Sequence, residues 1–398
     1  MSVRELTLDQ LGEVSRGRSR HRPRDAAHLY GGPFPFIQTG DVKKANLYLT
    51  EFEKTYSEAG LAQSKLWPAG TLCITIAANI ADTAILGIDA CFPDSVIGFT
   101  GQPETTDTRF VKYLFDGVLK VKYRAFTQGA AQENLSQEKL LSIRFPVPEL
   151  RVQRRIADIL STFDDLIENN RRRIGLLEQA ARMLYREWFI HLRFPGHEHV
   201  KITDGLPEGW ERRTLGEVAL TNAESYKAKE LPGQINYIDI SSVARGRVDS
   251  KTLMTSAEAP GRARRKAKAG DVIWSNVRPN LRAYALILDP EESDVFSTGF
   301  TVLTPQSVPF TWLYMFVTTD IFVGHLVNHA TGAGYPAVRP DDFERAALLL
   351  PPKSLLSLFH EATEPNFRLI SKLDHQNQKL AQARDLLLPR LMNGEIAV

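Results

Sequence analysis

The chain has 398 residues, 43% of them hydrophobic and 24% charged, and a formal net charge of only +2. This is the composition of an ordinary soluble globular protein with room for two or three domains, and any surface for a polyanionic partner must be local. Two cysteines, Cys73 and Cys91, exclude a disulfide framework; no apolar run approaches the roughly 18 residues of a bilayer span, and no basic-then-apolar segment opens the chain, so the expectation is a cytoplasmic protein without membrane contact.

In chain order, the first feature is SRGRSRHRPR, residues 15–24, with Arg16, Arg18, Arg20, Arg22 and Arg24 at every second position. Gly17 and Pro23 argue against a helix, and an extended segment turns all five guanidinium groups to one face. Acidic residues stand only at its ends, Glu13 and Asp25. The run reads either as a solvated mobile loop or as a grip on phosphate. An Ala-Gly turn and a short apolar strand follow in WPAGTLCITIAANI, Trp67 to Ile80, where Asn79 is a candidate reader of base edges. The Gly-rich TQGAAQENL then leads to a strand ending at Pro148.

A proline-free stretch comes next. In it Ile156, Leu160, Phe163, Ile167, Asn170, Ile174, Leu177, Ala181, Leu184 and Trp188 alternate spacings of four and three. That is a coiled-coil seam with one polar, register-setting position, on a helix of about 60 Å. Pro, Gly and charged residues make 194–210 a linker.

The second half repeats the first at an offset of about 203 residues. LGEV, first at Leu11 to Val14, recurs at Leu215 to Val218, an Ala-Gly turn and strand at Ala267 to Leu281, and a Gly-rich loop and proline-bounded strand in TGAGYPAVRPDDFERAALLLPP. GRARRKAKAG supplies Arg262, Arg264, Arg265, Lys266 and Lys268, a second five-cation run read as the partner of the first. SNVRPNLRAY supplies Asn276, Arg278, Asn280 and Arg282, bidentate groups suited to adenine or guanine edges. Tyr335 is placed either to stack on a base or sugar or to cap the core. The shifted seam reads Phe359, Thr363, Asn366, Ile370, Leu373, Asn377, Leu380, Arg384, Leu387 and Leu391; it is more polar, and Pro365 is expected to kink or restart its helix.

The expected organisation is therefore α+β: mixed α/β units at 1–148 and 211–352, a central helix at 149–193, the linker, and a C-terminal helix at 353–398. The helices pair as an antiparallel coiled coil that holds the units apart, with a pseudo-twofold internal repeat. Heads separated by 50 to 60 Å of helix would read half-sites about one to one and a half DNA turns apart.

Catalytic motifs are missing. There is no GxxxxGK(S/T) loop, no GxGxxG and no Asn/Asp-Pro-Pro-aromatic tetrapeptide. His325 and His329, spaced i, i+4, lack a third ligand nearby and read as exposed helix histidines. The chain is expected to be a non-catalytic DNA-binding protein.

The stretch SIRFPVPELRVQRRIADILSTFDDLIENNRRRIGLLEQAARMLYREWF, the opening LPEGWERRTLGEV of the second unit and the terminal LLLPRLMNGEI together resemble the specificity subunit of a type I restriction-modification enzyme. The resemblance implies two target-recognition domains on a bipartite double-stranded DNA site. It further implies two methyltransferase subunits that methylate adenine at N6 and, where present, two restriction subunits. S-adenosylmethionine, ATP and Mg would then belong to those partners, with no cofactor on this chain. A stand-alone two-headed DNA-binding regulator and a purely structural coiled-coil adaptor are the competing readings.

Overall fold

The computed structural model describes residues 3–77, 80–119 and 136–398. The chain divides into two compact units, Met1–Arg171 with His375–Val398, and Arg172–Asp374. These boundaries cut both long helices, so each helix contributes one segment to each unit.

In unit 1 the described strands are β1 (Val3–Leu6), β2 (Gly12–Arg16), β3 (Tyr30–Phe36), β4 (Tyr48–Leu49), β5 (Lys54–Tyr56), β6 (Leu66–Trp67), β7 (Leu72–Thr75), β8 (Thr83–Leu86), β9 (Ala90–Cys91), β10 (Val96–Gly101) and β11 (Phe145–Pro148). They form a sheet β2-β10-β7-β8-β4, a sheet β5-β3-β9-β6 and the pair β1-β11. Unit 2 has the small hairpin β12 (Ile202–Thr203) and β13 (Leu206–Pro207), then β14 (Glu211–Thr214), β15 (Ala219–Thr221) and β16 (Gln234–Ile238). A second hairpin, β17 (Val243–Ala244) and β18 (Arg247–Val248), precedes β19 (Thr252–Thr255), β20 (Ala263–Arg265), β21 (Asp271–Ser275), β22 (Tyr284–Ile287), β23 (Asp294–Ser297), β24 (Phe300–Pro305) and β25 (Ala347–Leu350). Its sheets run β15-β24-β21-β22 and β19-β16-β23-β20, with the pair β14-β25.

The internal repeat is thus present in the two main sheets, apart from β4, which has no counterpart in unit 2. β2, β10, β7 and β8 correspond to β15, β24, β21 and β22, and β5, β3, β9 and β6 correspond to β19, β16, β23 and β20. The parallel pairing of β3 with β9 recurs as β16 with β23, in sheets otherwise antiparallel. The strands β7 and β21 are buried at every position, which is why LCIT and DVIWS read as nearly continuous apolar runs without alternation. Ahead of each stands a glycine in the left-handed region, Gly70 at φ +88° and Gly270 at φ +91°, whose N–H donates to the carbonyl of Leu86 or Ile287 at 2.8 Å. A side chain is strained in that backbone conformation, so the Ala-Gly turn is a requirement of the fold.

The central helix spans Leu150–Tyr185 and continues through a π-helical turn, Arg186–Ile190. All ten of its seam positions, from Ile156 to Trp188, are buried or half-buried, and so are all ten on the terminal helix. The helices pair antiparallel inside each unit. In unit 1 the Asn170 amide donates to Asn377 Oδ1 at 3.0 Å and to Gln376 Oε1 at 3.3 Å, and Arg384 pairs with Asp164. In unit 2 the rings of Tyr185, Trp188 and Phe189 close on Phe359 at 6.0, 5.9 and 5.1 Å. The terminal helix is one element, Lys353–Met392. The expected restart at Pro365 does not occur: Phe359 and Phe367 on either side are fully buried, and their packing outweighs the lost backbone hydrogen bond. Unit 1 draws on this helix too, since Leu388 and Leu391 sit in its core with Leu8, Phe110 and Phe145.

Candidate nucleic-acid interface

The first arginine run begins on β2 and leaves it as an extended strap. Gly17 and Ser19 are buried while Arg16, Arg18 and Arg20 are exposed, so the period of two holds over these three. Gly17 is fixed by crowding: a Cβ there would lie 2.3 Å from the carbonyl oxygen of Phe92. Among the described residues, none pairs with the guanidinium groups of Arg16, Arg18 or Arg20. The other two arginines leave the ladder. Arg22 donates to the carbonyls of Ser19 at 2.7 Å and His21 at 2.9 Å, and Arg24 donates from Nη2 to both carboxylate oxygens of Asp94 at 2.7 and 2.9 Å. The local sequence showed acidic residues only at the ends of the run; Asp94 comes from 70 positions away.

The second run departs further from expectation. Arg262 donates to the Tyr237 hydroxyl at 3.1 Å and lies 3.9 Å from Asp239. Arg264 donates to the carbonyl of Ala263 at 2.6 Å, and Arg265 to the Ser225 hydroxyl at 3.0 Å. Burial pulls the Arg265 guanidinium below its ordinary pKa. The Lys266 ammonium stands 4.2 Å from the centre of the Tyr226 ring. Lys268 remains exposed. The run spans the bulged edge strand β20 and its flanks, and Arg262, Arg265 and Lys266 engage neighbouring segments at Tyr237, Ser225 and Tyr226. Nor is it the counterpart of the first run. The topological partner of β20 is β6, which is preceded by the single cation Lys65, paired with Glu13 at 3.6 Å and 3.7 Å from the Trp67 ring centre.

Between β21 and β22 the chain makes a tight turn, Pro279–Leu281, flanked by Arg278 at φ +50° and Arg282 at φ +56°. Here the structure joins candidates far apart in sequence. The Arg278 N–H donates to the carbonyl of Pro336 at 2.7 Å, its guanidinium donates to the carbonyl of Gly334 at 3.2 Å, and the same group lies 4.5 Å from the centre of the Tyr335 ring. Tyr335 is 73% exposed, so it does not cap the core. Asn280 is exposed at the tip of the turn. Two other candidates are committed internally: Asn276 Oδ1 accepts from Thr301 at 2.7 Å, and Arg282 pairs with Asp320, whose carboxyl that hydrogen bond holds below its usual pKa range. Leu281, 63% exposed beside Asn280, carries no signal in local periodicity and was not among the sequence candidates.

Asn79 and the TQGAAQENL loop lie outside the described residues. His325 is half-buried, with Nε2 at 2.8 Å from the carbonyl of Asp342, and only His329 is exposed.

Residues 3–179 match the family described as "Type I restriction modification DNA specificity domain". The chain is similar over 98% of its length to the type I restriction enzyme MjaIX specificity subunit of Methanocaldococcus jannaschii, at 23% identity and 93% coverage of that protein. It is 21% identical to the HindI specificity subunit of Haemophilus influenzae over 65% of this chain and 70% of that one. A crystal structure of a type I restriction-modification S subunit from M. genitalium shares the fold, with a TM-score of 0.56 over 98% of this chain and 96% of that one, at 16% identity. Residues 3–179 thus match the specificity domain of type I restriction-modification systems, and a type I specificity subunit is similar to this chain over nearly its whole length.

Proposed function

We propose that the chain is the DNA-specificity subunit of a type I restriction-modification system, in which each unit reads one half of a bipartite duplex target and the chain recruits the modification subunits. The observation that carries this reading is the duplicated fold, with one exposed basic strap on unit 1 and one exposed Arg-Asn-Tyr surface on unit 2. Arg16, Arg18 and Arg20 supply the sequence-independent hold on phosphate, and the 278–282 turn with Tyr335 supplies base contact. Two methyltransferase subunits, and two restriction subunits where the system has them, complete the complex. They bring S-adenosylmethionine, ATP and Mg, while this chain contributes no catalytic group.

Methylation mapping of host DNA with and without the gene tests the reading: one bipartite motif should lose its N6-methyladenine when the gene is deleted. The strap is tested by replacing Arg16, Arg18 and Arg20 with Ala in the assembled complex. Affinity should fall alike for all sequences, and the slope of log K against log salt should flatten by roughly one for each phosphate no longer neutralised. A stand-alone regulator would leave the methylation pattern intact and would not copurify with a methyltransferase.

A further inference from the structure

Unit 2 has exposed apolar side chains at Leu281 on the 278–282 turn and at Ile321 and Tyr335, each next to or in contact with a residue that engages that turn. They are 63%, 71% and 73% exposed. Tyr335 stacks on Arg278 at the start of the turn, and Ile321 follows Asp320, the residue that pairs with Arg282 at its end. Scattered exposed leucines need no explanation, but an apolar tip held in place by its neighbours does. Arg278 and Arg282 both occupy the left-handed region, an uncommon conformation for residues with side chains, and each is tied down: Arg278 by the carbonyls of Pro336 and Gly334, Arg282 by Asp320. The charge of Arg282 is therefore neutralised inside the protein. Between the two arginines the exposed side chains are one amide, Asn280, and one branched aliphatic chain, Leu281, while the exposed Arg278 and Tyr335 are stacked on each other.

An amide beside an aliphatic group matches the two features an A·T pair shows in the major groove, the N6/N7 edge of adenine and the C5-methyl group of thymine. Resting on the functional reading above, we propose that Leu281 is a specificity-determining residue that packs against a thymine methyl group in the half-site read by unit 2, with Asn280 on a neighbouring adenine. Tyr335 and Arg278 are positioning residues that set the height of the tip above the groove. Leu281 is a suitable residue to test because it is so exposed that its truncation removes little packing from the unit.

The assembled complex with its modification subunits is titrated with duplexes carrying the mapped target, in which each thymine is replaced singly by deoxyuridine. Removing the one relevant methyl group should weaken the native complex roughly fivefold or more, while the Leu281→Ser variant should bind the substituted and unsubstituted duplexes equally. Methylation mapping of that variant should show relaxed choice at a single A·T position of one half-site, with affinity for unrelated DNA unchanged. Deoxyuridine sensitivity that persists in Leu281→Ser overturns the assignment, as does a variant with the native motif. Loss of methyltransferase copurification with native DNA affinity would instead make the tip a protein contact, and would overturn it too. If the native complex shows no sequence preference at all, the functional reading fails before this one is reached.

Discussion

Arg384 occupies a position of the terminal seam where an apolar residue would be usual, and its sequence context makes it look like a defect. In the structure it is the partner of Asp164, a carboxylate with 1% exposure that also accepts a 2.5 Å hydrogen bond from the Tyr113 hydroxyl. Removing one member of a buried pair strands the other, so Arg384→Ala should destabilise the chain by about 3–5 kcal/mol in urea unfolding, while Arg384→Ala combined with Asp164→Asn should recover much of that loss. A variant as stable as the native chain would mean that water reaches Asp164. Glu178 on the central helix gives a prediction of pH dependence. Burial raises its carboxyl pKa, Arg182, Arg245 and Arg247 act to lower it, and Asp374 adds to the rise. A carboxyl whose folded pKa is raised binds its proton more tightly in the folded state. Its contribution is full below the ordinary glutamate value and is lost as pH rises through the raised one. Glu178→Gln should therefore raise Tm relative to the native chain increasingly from acidic to neutral pH. A constant difference across that window would remove ionisation as the cause.

At the level of elements, the helices were the most legible part of the sequence. A seam of threes and fours is a local pattern, and every position it marked on the central helix lies off the solvent face. The Ala-Gly turns were legible for a similar reason, because a left-handed backbone before a buried strand demands glycine. What could not be read was pairing across long separations. Asp94 neutralises Arg24 from 70 residues away, and Tyr237 and Asp239 engage Arg262, so five-cation runs that look alike on paper end as a three-arginine strap in one unit and a strand edge in the other. Proline at position 365 also misled, since its local penalty is offset by two buried phenylalanines that belong to the core of unit 2. The penalty is still present. Pro365 is exposed and inside the helix, so Pro365→Ala should stabilise the chain by roughly 1–3 kcal/mol with no change in DNA affinity, measured by urea unfolding and binding in parallel. A neutral or destabilising result would show that the helix requires its proline-induced geometry.

Over the whole molecule, the two units share the strand order of their main sheets apart from β4, yet they are closed differently. Unit 2 is one continuous stretch, Arg172–Asp374, whereas unit 1 takes in His375–Val398 as well. Leu388 and Leu391 are buried in its core, with Met392, Ile396 and Val398 packed against it. Deleting residues 386–398 should therefore cost roughly 4 kcal/mol or more, and hydrogen exchange should rise at β7 and β10 of unit 1 while β21 and β24 of unit 2 keep their protection. Equal loss in both units would show that they unfold as one. The same closure orders events during translation. A ribosome delivers Met1–Arg171 before unit 2, but the part of their core that Leu388 and Leu391 cover stays open until residues 375–398 arrive, by which time every residue of unit 2 has emerged. The unit begun earlier is therefore closed later, and the apolar side chains that Leu388 and Leu391 cover are open to chaperones and proteases while unit 2 is being synthesised.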